Sequence, residues 1–267
     1  ITIILIEHRV DLAVRHINRA IVFDRGEIIK DGSPREVFSS DEPRVAGVGT
    51  PKIIELSKRL SAKGININGP HVSEDLFLKK IVGRISPSEK KVHGEVKTPM
   101  YDDLTGEYRG NAIIEVSHIS YAYPSGVQAL RNVSLTVNRG EFLAIMGENG
   151  AGKTTLVKHF NGLLKPQGGR VVVDRTDVSK VSVASLARKV GLVFQNPDDQ
   201  LFSESVDEEI RFALRNFGFE VGVIEKRVDW ALNLLDLERY RKSSPFVLSG
   251  GERKRVALAS VLAWDPE

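Results

Sequence analysis

Cysteine is absent from the 267 residues. That excludes a disulfide scaffold, a Cys-ligated zinc site and an iron–sulfur cluster within this stretch, and it fits a reducing compartment. No apolar run approaches the roughly 18 residues of a membrane span. The most apolar stretch at the start, Ile1–Ile6, runs straight into Glu7, His8 and Arg9, with no basic lead-in or small-residue cleavage site, so it does not read as a secretory signal. A surplus of one charge is lacking too: 38 Lys and Arg face 35 Asp and Glu, a net +3. A pI near 9 on so small a surplus hints at anionic partners and is no nucleic-acid footprint. His16, His71, His93, His118 and His159 lack metal-ligand spacing. What is present, 41% hydrophobic and 27% charged residues, is the balance of a globular protein of one large domain or two modest ones.

The first residue is Ile, inside a β-branched run that reads as a buried strand already under way. The chain is therefore expected to be an internal piece of a longer protein. A short helix is predicted over Asp11–Asn18. Strands Ala20–Phe23 and Glu27–Lys30 are joined through Asp24-Arg25-Gly26, whose glycine suits a tight hairpin. Ser33 is expected to cap a following turn of helix with Pro34 in first position. Thr50, Pro51 and Gly64 bracket another helix, and Ser73 and Gly83 a third. From Ser86 to Gly110 the text is Pro, Lys, Glu, Asp and Gly with little periodicity, which reads as a linker. Asp207-Glu208-Glu209 reads as a solvated first helical turn.

The strongest chemical signal is Gly147-Glu148-Asn149-Gly150-Ala151-Gly152-Lys153-Thr154, which fits G-x-x-x-x-G-K-[ST]. A chance match in a chain this long is on the order of 1 in 100. The hydrophobic strand Phe142–Met146 leads in and a helix over Thr155–Phe160 leads out, the context the motif requires. Glycines let backbone N–H groups converge on phosphate oxygens, and the helix N-terminus adds partial positive charge. Lys153 supplies a full charge to the β- and γ-phosphates, and the Thr154 hydroxyl can ligate magnesium. Roughly 100 residues on, Leu248-Ser249-Gly250-Gly251-Glu252 precedes a helix over Arg253–Ala263 with Val256, Leu258, Ala259 and Leu262 at helical spacing. This is a second candidate anion site. The charge run Arg253-Lys254-Arg255 reads as a solvated helix face.

With both loops in hand, residues 113–267 resemble the nucleotide-binding domain of ATP-binding cassette (ABC) proteins. Residues 147–155 match its phosphate loop, and 248–252 its signature loop, with Glu252 where Gln is usual. Gly191–Phe202 is similar to its Q-loop, and Tyr121-Ala122-Tyr123-Pro124 to its adenine-stacking loop. The wording Phe194-Gln195-Asn196-Pro197-Asp198-Asp199-Gln200-Leu201-Phe202 is especially similar to the energy-coupling factor (ECF) and cobalt/nickel importer branch. Residues 1–38 resemble a different part of the same family, the switch-histidine loop around His8 and the strand pair after it.

The resemblance implies an α/β P-loop NTPase fold with an antiparallel β subdomain and a helical subdomain, preceded by the C-terminal part of another cassette. On this reading 1–85 is the tail of a first cassette, 86–112 a linker, and 113–267 the front of a second. The water-activating Glu of the family follows the signature helix beyond Glu267, so these 267 residues are expected to hydrolyse ATP poorly. The strand and hairpin of 1–38 are also expected to be able to dock beside 113–267 as in an incomplete circular permutant, with Ile1–Ile6 in the same sheet as Phe142–Met146.

For the site, the resemblance implies ATP and Mg²⁺ held by Tyr123, Gly147, Asn149, Gly150, Gly152, Lys153, Thr154 and Thr155. Ser249, Gly250 and Gly251 serve the opposing cassette's nucleotide, that cassette lying in the same chain or in a dimer partner. His8 and Gln195 are the catalytic candidates, and Thr154 and Gln195 the metal ligands. Tyr123 as a core aromatic and Gln195 as a loop-capping amide stand as the plainer readings. The implied partners are a transmembrane coupling subunit and a substrate-capture subunit, with no nucleic acid. The implied location is peripheral, on the cytoplasmic face of the membrane, and the transported substrate a vitamin or a transition-metal ion. A twin-cassette ATPase acting on the ribosome is the alternative. Its long basic helical arm is not matched by residues 39–110, where 12 Lys and Arg stand against 10 Asp and Glu and glycines and prolines interrupt every helix. A DNA-repair ATPase would need sustained heptads, which do not occur.

Overall fold

The structure, a computed structural model, describes residues 1–7, 9–63 and 111–266. His8, Glu267, the expected helix between Ser73 and Gly83, and the stretch 86–110 lie outside the described residues. The chain divides into two compact units. One comprises residues 2–160 and 164–179; the other comprises Ile1, 161–163 and 180–267.

The first unit carries two four-stranded sheets. In one, β1 (Ile3–Ile6), β6 (Phe142–Met146), β2 (Arg19–Asp24) and β3 (Glu27–Gly32) stand side by side in that order. The central strand β6 is parallel to both neighbours: Ile3 lies opposite Phe142, and Val22 opposite Met146. A parallel strand covered on both faces needs an unbroken apolar run, and Leu143, Ala144, Ile145 and Met146 are all fully buried. Ala144 and Met146 pack with Ala20 and Val22 against Val10, Val37, Phe38 and Ile54. Those last four come from α1 (Val10–Ala13), α2 (Pro34–Ser39) and α4 (Lys52–Ala62). The pairing expected of Ile1–Ile6 with Phe142–Met146 is thus observed. Between β2 and β3, Arg25 and Gly26 both have positive φ, 45° and 87°, as a tight two-residue hairpin turn requires.

Two helix boundaries differ from the sequence reading. The helix expected over Asp11–Asn18 is the single turn α1. Asn18 is drawn out of it because its N–H donates to the Phe142 carbonyl (3.0 Å) while its side chain accepts from the Phe142 N–H (2.9 Å). α4 begins at Lys52, with Pro51 in the cap position and no cap from Thr50. Instead the Lys52 N–H is capped from a distance by the Asp11 carboxylate at 2.9 Å. Ser33 and Glu36 form the expected cap of α2, each side chain bonding the other's backbone.

The second sheet runs β5 (Gln128–Asn138), β4 (Ala112–Ala122), β7 (Gly168–Val173), β8 (Thr176–Asp177), antiparallel throughout. Val133, Leu135 and Val137 of β5 are buried while Ser134 and Thr136 are exposed, the alternation of a one-faced sheet. α3 (Glu42–Val45) and α5 (Lys153–Phe160) also belong to this unit.

The other unit is helical: α6 (Val183–Leu186), α7 (Val206–Asn216), α8 (Val221–Leu234) and α9 (Gly250–Leu262). Its core takes Val206, Ile210 and Leu214 from α7, Val228, Ala231 and Leu232 from α8, and Val256, Ala257 and Ala259 from α9. Leu258, expected inside, is 37% exposed; the inward stripe of α9 runs through small residues, Ala257, Ala259 and Ser260, which permit close helix approach. Glu209 also departs from the solvated turn expected of it. It is 4% exposed, and its carboxylate accepts from the N–H groups of Phe202 (3.0 Å) and Ser203 (2.8 Å). The side chain thus turns inward to satisfy two backbone donors of the preceding loop, which compensates its own burial.

Candidate functional site

The phosphate-loop motif joins β6 to α5. Gly147 has φ +155° and Gly152 φ +108°. A Cβ on Gly147 would lie 2.0 Å from the Phe23 carbonyl oxygen, and one on Gly152 would lie 2.3 Å from that of Ala129. Only glycine fits both the dihedral and the space. The hairpin turn braces the loop from the same side: the Gly26 N–H donates to the Ala151 carbonyl (2.8 Å), and the Gly26 carbonyl accepts from the Arg131 N–H (2.8 Å).

Lys153 is 5% exposed. Its Nζ donates to the carbonyls of Gly147 (2.9 Å) and Glu148 (2.7 Å). Burial pushes the Lys153 amine below its ordinary pKa, so the charge is held at a cost that a nearby anion would relieve. Thr154 is exposed and Thr155 buried. A cavity of about 450 Å³ opens beside the loop, lined by Gly47, Val48, Gly147, Glu148 and Asn149. Gly47 and Val48 were missed in the sequence, since nothing local marks them as neighbours of a loop 100 residues away.

Tyr123 follows the end of β4. Its hydroxyl shares a hydrogen bond with the Thr155 hydroxyl (3.0 Å), and its ring meets Tyr121 edge-on at 5.2 Å. Tyr121 in turn meets His159 edge-on at 5.1 Å. His159 is fully buried; its Nδ1–H donates to the Thr155 carbonyl (2.7 Å), and burial depresses its pKa. The structure thus brings Tyr123, the glycines, Lys153, Thr154 and Thr155 into one unit.

The second anion-site candidate belongs to the helical unit. Ser249 caps α9: its hydroxyl and its N–H both donate to Glu252 (2.7 and 2.9 Å), and it accepts from the Glu252 N–H. The Tyr240 hydroxyl also donates to Glu252. These donors, the Tyr240 hydroxyl foremost and then Ser249, pull the Glu252 carboxyl down to about 2. Ser249, Gly250 and Gly251 are exposed at the helix N-terminus. The run after them is not simply solvated, because Arg253 reaches the Leu248 carbonyl (3.0 Å) and the Asp198 carboxylate (3.0 Å).

Gln195 belongs to this same unit and is exposed. Loop capping falls to its neighbours. Asn196 caps the turn Pro197–Asp199, and Gln200 donates to the Ala257 carbonyl (3.0 Å) and Ser260 hydroxyl (3.3 Å) while accepting from the Phe194 N–H (3.2 Å). Gln200 was not singled out in the sequence. Among the described residues no cluster of three or more His, Asp or Glu could hold a metal, and no helix is long and apolar enough to cross a membrane.

Comparison with known proteins is consistent with this geometry. The sequence family described as "ABC transporter" matches residues 130–267. A relative in Methanosarcina acetivorans, named for ATP binding in an ABC transporter, is 36% identical over 272 aligned residues, covering all of this chain and 44% of the relative. An energy-coupling factor transporter ATP-binding protein, EcfA of Methanothermobacter thermautotrophicus, is 48% identical over 157 residues, which is 58% of this chain and 50% of that one. The chain therefore spans about half the length of the curated relatives it matches. Among solved structures, cbiO1 of Clostridium perfringens, described as part of the ABC transporter complex cbiONQ, aligns with TM-score 0.53 at 40% identity, covering 59% of this chain and 63% of that one. The ATP-binding cassette MJ0796, solved with ADP and Pi, aligns with TM-score 0.52 at 31% identity, over 57% and 70% of the two chains.

Proposed function

The chain belongs to the ABC transporter ATPase family, and from that premise we propose that it binds ATP through residues 147–155 and forms part of an ATPase that energises a membrane importer of the ECF type. The observation that carries the reading is the phosphate loop. It has two glycines with no room for a Cβ, and a buried lysine whose amine rests on the loop's own carbonyls. A triphosphate fits the loop's donors: the N-terminus of α5 presents N–H groups, and Lys153 supplies a desolvated positive charge. On arrival of the phosphates, Lys153 exchanges two neutral carbonyl partners for charged oxygens.

Tyr123 stacks on the adenine base, and Asn149 and Gly150 line the exposed turn of the loop. Magnesium, held by Thr154 and Gln195, would neutralise charge on the phosphate oxygens. Gln195 serves the site of Lys153 and Thr154, whereas Ser249, Gly250 and Gly251 serve the opposing cassette's nucleotide together with His8, which bonds its γ-phosphate and helps place the attacking water. Catalysis of this kind is mostly positioning and charge stabilisation. Residues 1–85 as the tail of one cassette, 86–112 as a linker and 113–267 as the front of another belong to the same proposal. It is supported by a longer relative that aligns with the whole chain. So do a transmembrane coupling subunit and a substrate-capture subunit as partners, a vitamin or transition-metal ion as cargo, a peripheral place at the cytoplasmic membrane face, and slow turnover by these 267 residues alone.

Titration calorimetry with MgATP tests the reading. The chain is expected to bind, and Lys153→Ala to weaken binding at least tenfold, as the loss of charge-assisted bonds implies (about 1.5–3 kcal/mol each). Failure of the native chain to bind MgATP, or equal binding by the variant, overturns it.

A further inference from the structure

We propose that Gln167 is a positioning residue for nucleobase capture, holding the Tyr123 ring in place for the planar base of a nucleoside triphosphate. This rests on the reading of Tyr123 as the base-stacking residue. The β4–β7 ladder ends where Ser120 pairs with Gly168. Two residues further along β4, Ala122 still pairs with Gln128 on the β5 side. Toward β7 its N–H and C=O have no strand left to meet. The side-chain amide of Gln167, the residue just before β7, takes that role. Its Oε1 accepts from the Ala122 N–H and its Nε2 donates to the Ala122 carbonyl, each at 2.8 Å. A primary amide with one donor and one acceptor presented together imitates a peptide group, so the ladder is extended by one residue without any backbone.

That residue is the last before Tyr123. Tyr123 is then held at its backbone, its hydroxyl and one side of its ring, and stays half-exposed. Its N–H donates to the Val127 carbonyl (2.9 Å), and its carbonyl accepts from the Gly126 N–H (2.8 Å). Its hydroxyl is engaged by Thr155, and its ring abuts Tyr121. Behind them His159 closes the cluster, packed on Tyr121 and bonded to the Thr155 carbonyl. An aromatic platform held in advance spares the ordering cost that a free tyrosine would bear when a base arrives. Gln167 itself is exposed, so its removal leaves the core intact. No motif names it.

The experiment compares ATP with inorganic tripolyphosphate, which has the phosphates and no base. Calorimetry is run on the native chain, Gln167→Ala and Tyr123→Ala, with melting temperatures checked. Gln167→Ala is expected to weaken ATP about three- to tenfold, the scale of one or two modest hydrogen bonds, and to leave tripolyphosphate unchanged. Tyr123→Ala is expected to weaken ATP at least as much, and by more than it weakens tripolyphosphate, since its hydroxyl also bonds Thr155. If Tyr123→Ala lowers ATP affinity but Gln167→Ala does not, the positioning role falls while the stacking role stands. If Gln167→Ala weakens both ligands alike, the residue acts on the loop at large and the inference is wrong. If Tyr123→Ala changes neither ligand, the stacking reading itself fails and the role of Gln167 with it.

Discussion

The two glycine-bearing loops solve the same local problem by opposite means. At 147–154 two of the three glycines, Gly147 and Gly152, are walled in by backbone from elsewhere in the chain: the carbonyls of Phe23 and Ala129 stand where a Cβ would go, while Gly150 is open. At 248–252 nothing comes within 4 Å of a Cβ on Gly250 or Gly251. That loop is shaped by its own neighbours, Ser249 and Glu252 bonding each other's backbone and Tyr240 reaching across a short turn. The first loop depends on contacts over long sequence separation. The second is assembled almost entirely within a dozen residues.

The contrast makes glycine substitution the sharpest way to break it. Gly147→Ala is expected to destabilise the sheet-bearing unit by about 2–6 kcal/mol, the sum of backbone strain and overpacking against Phe23, and to abolish nucleotide binding. Gly251→Ala is expected to be neutral or stabilising by up to about 1 kcal/mol, since alanine is the better helix former. Urea unfolding followed by amide hydrogen exchange distinguishes the two. Comparable losses at both positions would erase the difference between the loops.

A smaller effect probes the local loop by itself. Ser249→Ala removes the cap of α9 and is expected to cost about 1 kcal/mol. Both tryptophans, Trp230 and Trp264, belong to the helical unit, so tryptophan fluorescence during unfolding reads this unit. A loss well above 2 kcal/mol would mean that Ser249 has partners beyond its own turn.

The smallest expected effect is a difference in acid response. His159 has its pKa depressed from the ordinary 6.5 by burial. The folded chain refuses a proton that the unfolded chain accepts, so stability falls as pH drops below about 6.5. Glu252 is lowered from 4.5 to about 2 by the Tyr240 and Ser249 donors. Its stabilisation is complete above 4.5 and is lost only as pH falls toward 2. Protection of α5 amides, corrected for the intrinsic exchange rate at each pH, should therefore fall between pH 6.5 and 5, while tryptophan fluorescence stays flat over that range. His159→Gln should flatten the first response and Glu252→Gln any later one.

Much of this was legible in residue order because it is local. The Ser33 cap and the Asp24-Arg25-Gly26 turn each depend on residues within about four positions of one another, the reach of a turn or a cap, and the run from Gly147 to Thr154 is recognisable from residue types at fixed spacing although its shape rests on distant carbonyls. The apolar run of β6 announced a hydrophobic strand leading into the phosphate loop, and that of Ile1–Ile6 a buried strand. Sequence also suggested that Ile1–Ile6 joins the sheet of β6. Only the tertiary structure decided which atoms hold the phosphate loop open, why α1 stops at Ala13 rather than running to Asn18, why Glu209 is buried and why Leu258 faces out. Each of those turns on a partner many residues away, such as Phe23 for Gly147 or Phe142 for Asn18, or on which of several apolar residues a small-residue seam admits. Steric exclusion and the demand of buried donors for acceptors act through space, and a string of residues records neither.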